Sequence, residues 1–113
     1  MSASPEFIDF VISLLEPTAA LKGDKFFGGI GINSESTQFA MIMGNVLYFL
    51  VNDETRPKYE KLKKQPFSYM TKLGKRLVKR YYAVPEDLLE NQAELMKWAQ
   101  ESITIAKATQ NKN

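Results

Sequence analysis

Thr37–Val51 reads TQFAMIMGNVLYFLV, and this stretch decides the fold class. Two apolar runs, Thr37–Met43 and Val46–Val51, flank Gly44-Asn45. Both turn residues tolerate positive φ, so the pair predicts a tight hairpin between two antiparallel strands. The second run, VLYFLV, is apolar on both faces, as expected of a strand central in its sheet or covered on both sides. Upstream, Lys25–Ile32 reads KFFGGIGI. Its alternation predicts one more strand, with glycines marking a bulge or a close backbone approach. Asn33-Ser34-Glu35-Ser36 supplies the turn into Thr37.

Outward from this meander the period changes to that of a helix. Ser4-Pro5-Glu6 combines a cap, a proline in the first turn and an acid near the positive helix end. Phe7, Phe10, Val11, Leu14 and Leu15 follow on one stripe, and Pro17 ends it. On the other side, Asp53 is a candidate cap for a short helix over Arg56–Lys63, which Gln65-Pro66 breaks. Phe67–Lys72 and Leu77–Ala83 read as two strands joined across Leu73-Gly74-Lys75. Glu86–Glu90 gives about one turn of helix. Asn91 with Glu94 forms a capping box for a last helix that places Leu95, Trp98, Ala99, Ser102 and Ala106 on one side. A frayed tail is expected over 109–113. The expected architecture is α+β: a five-stranded antiparallel sheet, built as a three-strand meander plus a hairpin, flanked by an N-terminal, a short middle and a long C-terminal helix. One domain spans 1–113, the size of a single core.

Composition narrows the chemistry. Of 113 residues, 44% are hydrophobic and 25% charged, and there is neither cysteine nor histidine. That removes disulfides, thiolate nucleophiles, cysteine-based metal sites, imidazole bases and Ser-His-Asp triads. No run reaches the ~20 apolar residues of a membrane span, and the acidic start does not read as a signal peptide. A cytoplasmic protein is the expectation, with neither membrane nor cofactor. Gly28-Gly29-Ile30-Gly31 leads into a strand rather than a helix, so it reads as sheet packing and not as a phosphate loop. Asp53-Glu54 and Glu86-Asp87 sit at predicted helix starts, where acids are favourable without any metal or catalytic role. Phe39, Met41, Met43 and Phe49 read as core, and Trp98 as the anchor of the last helix.

Charge is the one sharp feature. The chain carries only +2 net, yet Arg56–Arg80 holds ten basic residues against one acid, Glu60, a local +9 that leaves −7 elsewhere. Arg56, Lys58, Lys61, Lys63, Lys64, Lys72, Lys75, Arg76, Lys79 and Arg80 supply it, with Tyr69, Tyr81 and Tyr82 interleaved. Such a segment attracts phosphate backbones or an acidic protein surface, and tyrosines beside it can stack on bases or fill an interface. A solvated polar face that protects a sheet edge is the alternative. Strict alternation would put Lys79 and Arg80 on opposite faces of their strand.

The order and spacing of several short stretches carry a resemblance. They are Phe27-Gly28-Gly29-Ile30-Gly31, Phe39-Ala40-Met41-Ile42, Leu47-Tyr48, Asp53 with Arg56-Pro57 and Tyr59-Glu60, Pro66-Phe67-Ser68-Tyr69, Tyr81-Tyr82-Ala83-Val84-Pro85 and Trp98-Ala99. These stretches run from Phe27 to Ala99, and over about Phe7 to Ile105 the chain resembles the N-terminal domain of the TfoX/Sxy family, bacterial regulators of competence genes. Asp24-Lys25-Phe26 departs from the Arg and Met that often precede FGG there. Two-domain members continue into a C-terminal helical domain that this sequence does not reach, so a stand-alone domain is expected. The resemblance implies an α+β fold and no catalytic residues. It also implies a role in transcription, exercised in longer members with a cyclic-AMP receptor protein. The expected function is a non-enzymatic regulator that binds such a transcription factor, DNA or both. Its contacts would come from Arg56, Lys58, Lys61, Lys64, Tyr69, Lys72, Lys75, Arg76, Lys79, Arg80 and Tyr82. A protein-interaction module, as a homodimer or with an acidic partner, is the alternative. A small enzyme using a Tyr/Lys pair is a third reading, requiring a pKa shifted by burial.

Overall fold

The computed structural model describes residues 4–16, 21–26 and 29–111. Ser4 caps α1 (Pro5–Leu15): its hydroxyl accepts from the Phe7 amide at 3.2 Å, and Pro5 and Glu6 occupy the first turn as expected. Val11 and Leu15, one turn apart, are its fully buried residues. The Ser4 amide donates to the Asn45 side chain, fastening the helix start to a sheet turn. Pro17 lies outside the described residues.

Among the described residues six strands form one antiparallel sheet: β1 (Leu21–Phe26), β2 (Gly29–Ser34), β3 (Thr37–Met43), β4 (Val46–Leu50), β5 (Pro66–Thr71) and β6 (Gly74–Ala83). Their order is β1-β2-β3-β4-β6-β5, so β4 is internal, as its two-sided apolar pattern predicts. The α+β class and the flanking helices agree with the sequence reading, and the sheet has one strand more. Where Lys25–Ile32 was expected to be a single strand, the chain reverses: Phe26 pairs with Gly29 and Leu21 with Ser34.

The glycines of β2 mark close approach, as expected. A Cβ on Gly29 would overlap the Ile42 carbonyl and the Met43 sulfur, and one on Gly31 would meet the Gln38 side chain. Gly29→Val is therefore expected to push β2 off β3 and destabilise the protein by about 1–3 kcal/mol. Urea denaturation would show this as a lowered midpoint with an unchanged slope. The β2–β3 turn uses Glu35 and Ser36, both at positive φ (51° and 72°), where Asn-Gly would be commonest. In the β3–β4 turn Gly44 takes positive φ, at 60°; Asn45 does not.

A bulge sets the core. Ile32 pairs with Ala40 and Asn33 with Gln38, leaving Phe39 as an extra residue on β3. Two adjacent side chains, Phe39 and Ala40, consequently both enter the core, which strict alternation forbids. Leu47 and Phe49 of β4, Val51 just after it and Tyr82 of β6 join them. Over this face lies α3 (Gln92–Asn111), capped by the Asn91 side chain, with Leu95, Ala99, Ser102, Ile103 and Ala106 inward. Small residues at 99, 102 and 106 bring the helix close enough for the Ser102 hydroxyl to donate to the Leu50 carbonyl at 2.8 Å. The helix continues to Asn111, past Thr109, where fraying was expected. A 3-10 turn at Glu86–Glu90 leads into it.

The short helix α2 (Arg56–Lys61) begins at Thr55. Asp53 does not cap it; instead the Asn52 side chain accepts from the Glu54 and Thr55 amides, and Asp53 turns to Arg56. Tyr59 points into the core, edge-on to Trp98 at 4.8 Å and tilted against Tyr82 at 6.1 Å. The helix ends in a Schellman turn. Lys63 adopts φ 61°, and the Lys63 and Lys64 amides reach back to the Glu60 and Tyr59 carbonyls.

Candidate functional site

Strand β6 is twice the length of β4 and pairs with Tyr48–Leu50 of β4 only over Tyr81–Ala83. Its earlier part has β5 as its ladder partner, from Phe67↔Val78 to Thr71↔Gly74. The result is a two-stranded ribbon that continues past the end of β4 by five paired residues, roughly 16 Å. Gly74, at φ 117°, closes its tip, and the Thr71 hydroxyl donates to the Gly74 carbonyl while accepting from the Leu73 amide. Lys72, Lys75, Arg76, Lys79 and Arg80 are all exposed on it. Among the described residues none of the five has an acidic partner, since the four ion pairs use other groups. The tip also exposes apolar surface: Leu73 is 88% and Met70 74% exposed.

The helical half of the basic segment behaves differently. Arg56 places one guanidinium nitrogen 2.7 Å from Asp53 and donates another N–H to the Lys79 carbonyl at 3.2 Å. It thereby clamps the start of α2 to the base of the ribbon. Lys58 lies 2.6 Å from Glu101 and 4.2 Å from the centre of the Trp98 ring. Both cations are spent inside the fold. Lys61 and Lys63 are exposed and Lys64 half-buried. Lys63 and Lys64 line a cleft with Val46, Leu47 and Ala83, a full β4 length away from the ribbon base. The ten basic residues thus form two groups rather than one face.

The tyrosines separate as well. Tyr82 is 3% exposed and its hydroxyl donates to Glu60 at 2.9 Å, so it offers no surface for a partner. Burial, with the Glu60 carboxylate behind it, pushes its phenol up from the ordinary tyrosine value. Burial does the same to Tyr59, Tyr81 and Tyr48. Tyr69 is half exposed on the ribbon.

Alternation along β6 breaks where Pro66 pairs with Tyr82 but Phe67 with Val78, leaving Lys79–Arg80–Tyr81 opposite no β5 residue. As a result Val78, Arg80 and Tyr81 line one cavity of about 400 Å³, together with Met41, Met43, Phe67 and Tyr69. It opens on the sheet face turned away from α1 and α3. A larger cleft, about 610 Å³, lies on the other side of Arg80 and includes Arg56, Gln38 and Asn52. Gln38 donates to the Tyr81 hydroxyl at 3.2 Å between the two. Among the described residues no cluster of acids has metal-binding geometry.

The family model of the TfoX N-terminal domain matches residues 13–106. The chain belongs to the TfoX N-terminal domain family. The match takes in all six strands, α2 and most of α3. No curated protein matches the chain. In this TfoX N-terminal domain, five of the cations singled out in the sequence and Tyr69 lie exposed on one ribbon. Sequence reasoning missed the exposure of Met70, Leu73 and Leu77; Met41 is buried, as the core reading expects, and with Met43 it floors the cavity. The sign available for the former was a leucine beside glycine in a turn, a place where no core contact is available to it.

Proposed function

We propose that this TfoX N-terminal domain is a non-enzymatic cytoplasmic regulator of transcription, in the setting of bacterial competence, that acts by holding DNA through its basic ribbon. The observation that carries this reading is the set of five cations, Lys72, Lys75, Arg76, Lys79 and Arg80, on a ribbon with no acid to neutralise them among the described residues. Unpaired cations at strand spacing attract phosphates, and their counterions are released on binding. The lack of histidine and cysteine, and phenols pushed away from neutrality, support the absence of catalysis. No described helix is long and apolar enough to cross a membrane. The longer relatives' partner, a cyclic-AMP receptor protein, would meet this domain on the DNA.

Fluorescence anisotropy of labelled duplex and single-stranded DNA between about 50 and 200 mM salt tests this reading. Five phosphate contacts predict a log–log slope of about −3.5 to −4.5, so affinity falls by two to three decades over that range. Absence of binding to both forms at the low-salt end overturns it. The apolar tip residues Met70, Leu73 and Leu77 favour a second reading, a protein-interaction module. That reading predicts a self-association visible by sedimentation and lost with Leu73→Asp.

A further inference from the structure

Resting on the proposal that the ribbon binds DNA phosphate, we propose that the strand it holds is single, and that the open sheet face is the platform on which its bases stack. The core residues of the sheet, Ile32, Ala40, Phe49 and Tyr82, all turn to α1, α2 and α3. The opposite face carries a run of aromatic rings instead. Tyr48 meets Phe67 edge-on at 5.4 Å, and Phe67 lies nearly parallel to Tyr69 at 6.3 Å and 24°. Tyr69, the outermost ring, is half exposed. Its cross-strand partner is Arg76, and Arg80 shares with it the cavity floored by Met41 and Met43.

Two chemistries are therefore side by side on one surface. The guanidinium groups of Arg76 and Arg80 suit a phosphate backbone. The exposed ring of Tyr69 and the apolar cavity beside it suit a flat, aromatic, uncharged group. A nucleic acid supplies both, but a duplex keeps its base faces inside the stack, and only an unpaired strand can turn them onto a protein ring. Open sheets with aromatic rings hold single strands in this manner, tolerant of sequence because every base has a π face. An acidic peptide would satisfy the cations but would gain nothing from parallel rings.

The test uses the full chain and labelled oligothymidine and oligouridine of about 12 nucleotides beside a duplex of equal length, with wild type, Tyr69→Ala and Tyr69→Phe. The half-exposed position of Tyr69 keeps the variants folded, which circular dichroism checks. The single strand is expected to bind at least tenfold more tightly than the duplex. Tyr69→Ala is expected to lose about tenfold on the single strand, within the range for one stacked base. It should keep the wild-type salt slope, and Tyr69→Phe should restore the single-strand affinity. A preference for thymidine or uridine assigns DNA or RNA, and either supports the proposal. A duplex bound more tightly than the single strand overturns it while leaving the phosphate-binding ribbon in place, as does wild-type affinity in Tyr69→Ala. A polyglutamate peptide bound as tightly as the oligonucleotide overturns it in favour of a protein partner. Binding of neither strand form at low salt removes the ribbon reading and this one together.

Discussion

Lys75→Glu, Arg76→Glu and Lys79→Glu, combined, are expected to lower DNA affinity on the order of a thousandfold at 50 mM salt while leaving the melting temperature close to that of the wild type. Stability is spared because the three side chains are exposed and hold no partner among the described residues, so nothing is left unpaired by their loss. The Lys79 carbonyl, which Arg56 uses, belongs to the backbone and survives the substitution. The affinity loss follows from counterion release. Each phosphate contact contributes about 0.7 to 0.9 to the log–log salt slope, so three lost contacts flatten it by about 2 to 3. That difference, followed from molar salt down to 50 mM, amounts to roughly three decades, and the added carboxylates can only enlarge it. A matched control has the same change of net charge: Lys61→Glu, Lys63→Glu and Lys64→Glu at the far end of α2. There the loss should be under tenfold, because Lys63 and Lys64 line the cleft at the opposite end of β4 from the ribbon and Lys61 lies on α2 rather than on the ribbon. Equal losses from both triple variants would show that overall charge, not the ribbon, governs binding.

The contrast between these two sets of lysines was invisible in the sequence, where all ten basic residues count alike. Lys58 is neutralised by Glu101, far along the chain on α3, and Arg56 by Asp53, which the sequence offered as a helix cap. Only the packing of α2 against α3 and the ribbon reveals which charges remain free. The tyrosines illustrate the same limit. Tyr81 and Tyr82 are neighbours, yet one lines an open cavity and the other is sealed in the core, and the position of Tyr69 depends on an irregular register at Pro66/Phe67.

Patterns that report local physics were legible. The cap at Ser4, the hairpin at Gly44, the Asn91 cap of α3 and the central position of β4 all come from the residues that form them, although Glu94 pairs with Lys97 instead of closing a capping box. Strand β1 was not legible, because Leu-Lys-Gly-Asp-Lys-Phe shows no apolar alternation and becomes a strand by pairing along β2. The bulge at Phe39 was hidden for a related reason. Its signal is the register with Asn33, a long-range property that a period-two reading of β3 averages away.

Tyr59→Ala is the substitution expected to cost the most stability, about 3–5 kcal/mol, as for other large aromatic truncations in a core. A helix of six residues has almost no stability of its own, so α2 stays folded through what it buries. Tyr59 is its one fully buried side chain, and it joins Trp98 of α3 to Tyr82 of β6. Its loss opens a cavity at the meeting point of three elements and is expected to lower the melting temperature by roughly 15–30 °C. The Tyr59 hydroxyl is buried beside Ser102, whose own proton goes to the Leu50 carbonyl, and it lacks a partner at full hydrogen-bonding geometry. Tyr59→Phe should accordingly be as stable as the wild type or slightly more so, since it removes a polar atom that gained nothing from burial. The same pair of variants predicts behaviour in alkali. Burial raises the Tyr59 phenol above the value it has in the unfolded chain, so the unfolded state is the first to lose the proton. The stability this group contributes is complete below about pH 10 and drains away as the pH rises beyond it. Tyr59→Phe should flatten that loss between about pH 10 and 12 without abolishing it, because Tyr81 and Tyr82 are raised by burial too. A Tyr59→Phe variant markedly less stable than wild type at neutral pH would mean that the hydroxyl, not the ring, holds α2 in place.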